Sequence, residues 1–156
     1  MKLIFRTLDP QRESDRDGFN LLMDELLCRA QDQQRMIRNI AEANANPDKY
    51  LMVAENAHTG ELVGTVLGVC FGDFCDGCDP VMVIENVVTR HDHRGKGVAR
   101  AMFAEMEAWG RSKQAAYAIL CSANHRHEAH QLYKAVGFEE VKGFKKFLQS
   151  SPPGHI

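Results

Sequence analysis

The chain has 156 residues, of which 44% are hydrophobic and 26% charged, with a formal net charge of -2 and a pI near 6.4. Those values describe one globular domain spanning 1–156 and exclude a disordered or fibrous chain. The slight acidity argues against a general nucleic-acid binder, and the lack of an apolar run of about 20 residues argues against a membrane span.

The N-terminus, Met1-Lys2-Leu3-Ile4-Phe5-Arg6, has no signal-peptide core, so the reading is cytoplasmic. The five cysteines, Cys28, Cys70, Cys75, Cys78 and Cys121, are odd in number and lack framework spacing, so reduced thiols are expected. Cys75 and Cys78 have a C-x-x-C spacing, but a zinc site would need a second ligand pair from elsewhere.

In chain order, residues 3–8 read as a strand, and the polar stretch 9–15 supplies breakers and helix-cap candidates, Asp15 among them. Phe19, Leu22, Met23, Leu26 and Leu27 recur at helical spacing and form a core face, leaving Asp24, Glu25 and Arg29 toward water. Met36, Ile37, Ile40 and Ala41 repeat the pattern before a break at 44–48.

Residues 50–55, 62–71 and 81–89 are rich in Val, Leu and Ile and read as strands, the first two joined as a hairpin by the turn at 57–60. Residues 72–80 are rich in turn formers and read as an exposed loop. A helix of about four turns starts at Val98, directly behind Gly95 and Gly97. Beyond it come a strand at 117–122, a helix at 128–136 stopped by Gly137, a closing strand at 141–148 and a loose tail at 150–154. The sum is a mixed α/β fold with helices on both faces of the sheet.

The segment Val87-Val88-Thr89-Arg90-His91-Asp92-His93-Arg94-Gly95-Lys96-Gly97-Val98-Ala99 runs from strand through turn into helix. Its glycines allow close backbone approach, the helix start offers unpaired N–H groups, and Arg94 and Lys96 add positive charge: the chemistry of a phosphate or pyrophosphate site. A tight structural turn is the competing explanation of the glycines. Neither a P-loop nor a dinucleotide fingerprint can be written on these residues.

The order strand, Arg94-Gly95-x-Gly97-x-Ala99, amphipathic helix resembles the signature of the GNAT superfamily of acetyl-CoA-dependent N-acetyltransferases. Ala129-His130-Gln131-Leu132-Tyr133-Lys134-Ala135-Val136-Gly137-Phe138 is similar to a second segment of that family, and the element order agrees over nearly the whole chain. The resemblance implies a splayed, mostly antiparallel central sheet flanked by helices on both faces. It also implies acetyl-CoA as co-substrate, with backbone groups of Val87 and Val88 facing the pantetheine arm. Amides from Arg94, Gly95, Lys96, Gly97, Val98 and Ala99 would hold the pyrophosphate.

Two departures stand out. Asp92 lies where the family often has Gln or Arg, tolerable if it points to solvent or pairs with a neighbouring Arg; Arg126 lies where an Asn is common, with Asn124 two positions earlier as its stand-in.

By the same resemblance, Tyr133 would protonate the departing coenzyme A thiolate; as a residue on a helix face with Ala129, Leu132 and Val136 it reads equally as a packed aromatic. Glu85, an acid inside the apolar run Val83-Ile84-Glu85-Asn86-Val87, would become a general base if burial raised its pKa, or else is a solvated or ion-paired residue. His125, His127 and His130 permit a metal, substrate-contact or proton-path reading; no metal is expected.

The acceptor implied is the primary amine of a small molecule: an aminoalkylphosphonate, amino sugar, polyamine or amino-acid-like compound. The first two helices and the loop 72–80, with Asp73, Asp76 and Asp79, would bind it. Peptide or protein N-acetylation and a non-catalytic acyl-CoA sensor are the alternatives. Open sheet edges with Phe71 and Phe74 suggest a homodimer.

Overall fold

A computed structural model of the chain describes residues 1–27, 31–75 and 77–148. Cys28, Arg29, Asp76 and the tail at 150–154, on which sequence expectations fell, lie outside the described residues. The chain divides into two compact units, Met1–Leu120 and Cys121–Ile156.

The first unit holds five strands, β1 (Leu3–Thr7), β2 (Lys49–Asn56), β3 (Leu62–Gly72), β4 (Pro80–Thr89) and β5 (Tyr117–Leu120). They lie in sequence order in one open sheet. Three helices accompany them, α1 (Glu13–Leu27), α2 (Gln33–Ala45) and α3 (Val98–Ser112). β1 to β4 pair antiparallel, and β5 joins β4 in parallel after the α3 crossover.

The sheet carries cores on both faces. Phe19, Leu22 and Met23 of α1 and Ile40 and Ala43 of α2 pack with Leu51, Val53 and Val88 on one side; helical spacing marked this face of α1, but in α2 it is Ala43 that is buried and the expected Ala41 is exposed. On the other side α3 presses close to the strands: a Cβ added at Gly64 would meet the Met102 side chain, and one at Gly68 would meet Met106 and Trp109. Glycine is what lets the helix come this near.

Asp15 is not a helix cap. Buried to 1% exposure, it receives two hydrogen bonds from the Arg6 guanidinium, at 2.6 and 2.7 Å, and one from the Asp9 N–H. Arg6 also donates to Glu55, so one guanidinium ties β1, α1 and β2 together.

The second unit contains α4 (His127–Ala135). It ends in a left-handed Gly137 (φ 96°), with the Gly137 N–H donating to Lys134 O and the Phe138 N–H to Tyr133 O, the paired bonds of a Schellman motif. The Tyr133 and Phe138 rings meet edge to face at 6.2 Å, the apolar contact that accompanies this cap. The Tyr-x-x-x-Gly-Phe spacing therefore has a structural use of its own.

Residues 141–148, expected as a closing strand, form none. Val141, Phe144 and Phe147 fall three apart around Lys142, Gly143, Lys145 and Lys146, with Leu148 directly after, so the alternation that buries one face of a strand is missing. Val141, Phe144 and Leu148 are accordingly exposed by 69%, 90% and 89%. Among the described residues no helix is long and apolar enough to cross a membrane.

Candidate functional site

The site grows from the end of β4. Thr65 is in register with Val88 and Leu67 with Glu85, so Asn86 and Val87 together stand opposite the single residue Val66: a bulge, with Asn86 at φ 54°. On the other edge, pairing of β4 with β5 runs only from Val81 to Ile84. Past that point β4 leaves the β5 ladder, carrying half-buried Val87 and buried Val88 toward the turn.

The chain then passes a 3-10 turn at His91–His93 and enters α3 through Arg94, Gly95, Lys96 and Gly97, all exposed. Gly95 and Gly97 have φ of 71° and 81°, a region closed to most side chains, and a Cβ at either would meet nothing within 4 Å. Their glycine identity thus answers to backbone conformation and leaves open space above the turn. Gly97 caps α3 with no side-chain bond, and a helix supplies no partner for the N–H groups of its first turn. Val98, 1% exposed, anchors that turn to the core, and the first-turn amides lie at the positive end of the helix dipole.

Charged side chains brace the loop from beneath. Arg90 donates two hydrogen bonds of 2.7 Å to Asp92 and lies 3.5 Å from Glu61. The Arg90 bonds first, and the nearby His93 ring second, hold the Asp92 carboxyl well below the usual carboxylate range. Asp92 is thus neutralised by a neighbouring arginine, the arrangement that makes an acid tolerable beside a pyrophosphate. Arg94 donates to the Thr89 carbonyl at 3.2 Å and approaches Glu25 at 3.5 Å. Glu25 of α1, expected in water, also accepts the His91 N–H at 2.8 Å. Between α1 and this turn lies a hollow of about 530 Å³ lined by Leu21, Asp24, Glu25, Arg90, His91 and Asp92. Sequence reading missed Glu25, Arg90 and Glu61, because their partners come from distant elements and no local pattern announces them.

Glu85 is exposed, so of the two settings its apolar neighbours left open, burial and solvation, it has the solvated one. Strand alternation turns Ile84 into the core, 1% exposed, and Glu85 the opposite way. Tyr133 belongs to the second unit, half-buried on α4, with the His130 ring 6.5 Å away and His127 a further 6.4 Å beyond. The N-cap position of α4, Arg126, supplies no side-chain cap. Among the described residues no three His, Cys, Asp or Glu side chains gather as a metal set.

An open mixed sheet that feeds a glycine turn into a helix start without a side-chain cap defines a mixed α/β architecture with unpaired N–H donors at the head of α3. Comparison with known proteins narrows the class: the profile of the Acetyltransferase (GNAT) family matches residues 16–138, and the chain belongs to that family, whose enzymes use acetyl-CoA as co-substrate. Aminoglycoside N(6')-acetyltransferase type 1 of Salmonella typhimurium is 25% identical over 95 residues, 54% of this chain and 66% of that protein, slightly under two thirds of its length.

Among solved structures, glucosamine-6-phosphate N-acetyltransferase from Arabidopsis thaliana superposes with a TM-score of 0.81 at 20% identity, covering 96% of this chain and 100% of that one. The aminoglycoside acetyltransferase AAC(6')-Iy, in complex with the bisubstrate analogue CoA-S-monomethyl-acetylneamine, gives 0.78 at 18% identity, covering 97% and 100%. These two likenesses establish the fold.

Proposed function

We propose that the chain, acting as one catalytic domain, moves the acetyl group of acetyl-CoA to the primary amine of a small molecule, with amino sugars the favoured acceptors. The observation that carries the reading is the start of α3: two left-handed glycines, open space above them and unpaired first-turn amides, in a chain of the acetyltransferase family. Those features fit the group they would bind. Amides from Arg94 to Ala99 would hold the pyrophosphate, Lys96 would add charge, and backbone groups of Val87 and Val88 beside the bulge would take the pantetheine arm. When bound, acetyl-CoA supplies an activated acyl carbon.

The remaining chemistry falls to protons. An ammonium acceptor must lose one before its nitrogen can attack, and exposed Glu85 would take it directly or through water. The sulfur that leaves must gain one, which the Tyr133 hydroxyl would give; a phenol near pKa 10 against a thiol near 8.5 makes this assistance rather than full transfer control. The amino-sugar preference rests on the names of the relatives, an aminoglycoside acetyltransferase and a glucosamine-6-phosphate acetyltransferase. Phe71 and Phe74, exposed by 51% and 93%, support a homodimer, and the cytoplasm is the proposed site of action.

The test is release of free thiol from acetyl-CoA with a panel of aminoglycosides, amino-sugar phosphates, aminophosphonates, polyamines and peptides. Release with an amino sugar supports the reading; release with peptides alone replaces it with protein acetylation, and binding without release points to a sensor. Tyr133→Phe keeps the ring packed on Phe138, so Tm stays level while kcat falls about a hundredfold if the hydroxyl donates the proton. Unchanged kcat assigns Tyr133 to the helix cap alone.

A further inference from the structure

The loop between β3 and β4 carries chemistry that acetyl transfer does not use. Cys75 and Cys78 are both free and both exposed. The Cys78 N–H donates to the Cys75 carbonyl at 2.8 Å, tying the two cysteines together through their backbones. A backbone hydrogen bond between residues three apart keeps their Cα atoms within about 7 Å, close to the upper limit of the span that a disulfide bridges. Gly77 (φ 90°) and Cys78 (φ 66°) both sit in the left-handed region, and a Cβ at Gly77 would meet nothing within 4 Å, so there is open space beside the pair.

The alternatives for these sulfurs are poorer. Among the described residues no third His, Cys, Asp or Glu completes a metal site with them. Cys70, the nearest cysteine in sequence, is buried, and that burial pushes its thiol pKa up, which suppresses the thiolate needed for exchange. Two accessible thiols tied together through their backbones, by contrast, meet each other at high effective concentration.

We propose that Cys75 and Cys78 form a reversible dithiol–disulfide pair that exchanges with low-molecular-weight disulfides such as glutathione disulfide. The thiolate of one cysteine attacks the small disulfide, forming an S–S bond to one glutathione and expelling the other as thiolate. The second cysteine, as thiolate, then attacks the protein-bound sulfur, closing the intraloop bond and expelling the remaining glutathione. Two protein thiols are oxidised, one small disulfide is reduced, and the two protons pass to the glutathione thiolates released.

The test needs no acetyl acceptor, so its failure is separate from any failure of the enzymatic reading. The full chain is equilibrated in a series of reduced and oxidised glutathione mixtures, alkylated, and weighed intact and as peptides. Cys75 and Cys78 are expected to lose alkylation together, with intact mass falling by two hydrogens and no glutathione retained, and reduction should restore both. Cys75→Ser and Cys78→Ser, changes on an exposed loop, should each trap glutathione on the remaining cysteine while leaving Tm level. Stable glutathione on both cysteines of the unaltered chain, or a bridge to Cys28, to Cys121 or between chains, overturns the proposal.

Discussion

At the residue scale the glycines of the turn do the least replaceable work. A left-handed conformation costs a residue with a Cβ roughly 1–2 kcal/mol, and Gly97 holds that conformation where the helix must begin. Gly97→Ala should lower the unfolding free energy by about 1 kcal/mol in urea titration. The new methyl group meets no protein atom but points into the space above the amides, so acetyl-CoA affinity by calorimetry should fall about tenfold or more. Loss of stability with acetyl-CoA affinity unchanged would make the glycine a structural turn and nothing else.

At the scale of elements, the Arg6 cluster decides how α1 meets the sheet. Burial pushes the Asp15 carboxyl up, but hydrogen bonds from Arg6 and from the Asp9 N–H, with the charges of Arg6 and Arg12, outweigh it and leave the group below its usual value. A depressed folded-state pKa means the carboxylate contributes its full stabilisation above the unfolded value near 3.9 and loses it as pH falls through the lower folded value. Asp15→Asn should therefore cost about 3 kcal/mol at pH 7, where Arg6 loses a charged partner. That deficit should shrink below pH 4, seen as converging urea midpoints of the two proteins. A deficit independent of pH would show that packing, not charge, is what Asp15 provides.

For the molecule as a whole, binding and folding are linked, because a pyrophosphate seated on the start of α3 bonds amides that only the folded sheet and helix bring together. Acetyl-CoA at about a hundred times its Kd should add roughly 2.7 kcal/mol and raise Tm by roughly 5–10 °C. Gly97→Ala should reduce the shift at equal concentration. No shift with the unaltered chain would remove the cofactor assignment.

The elements of the sheet and its helices were legible because runs rich in Val, Leu and Ile mark β2, β3 and β4 and apolar spacing of three to four marks α1 and α3, and the turn into α3 because its left-handed backbone favours glycine. The end of α4 was legible for the same reason, in Gly137. What the sequence could not show depends on partners far along the chain. Whether Glu85 is buried is settled by the strand alternation at the β4 bulge and by which elements cover it. Asp15 looked like a cap until Arg6 and the Asp9 N–H closed around it, and Glu25 looked solvated until His91 and Arg94 reached it. Local chain geometry is written in local residue types; burial and charge pairing are products of distant contacts, and only the tertiary structure sets them.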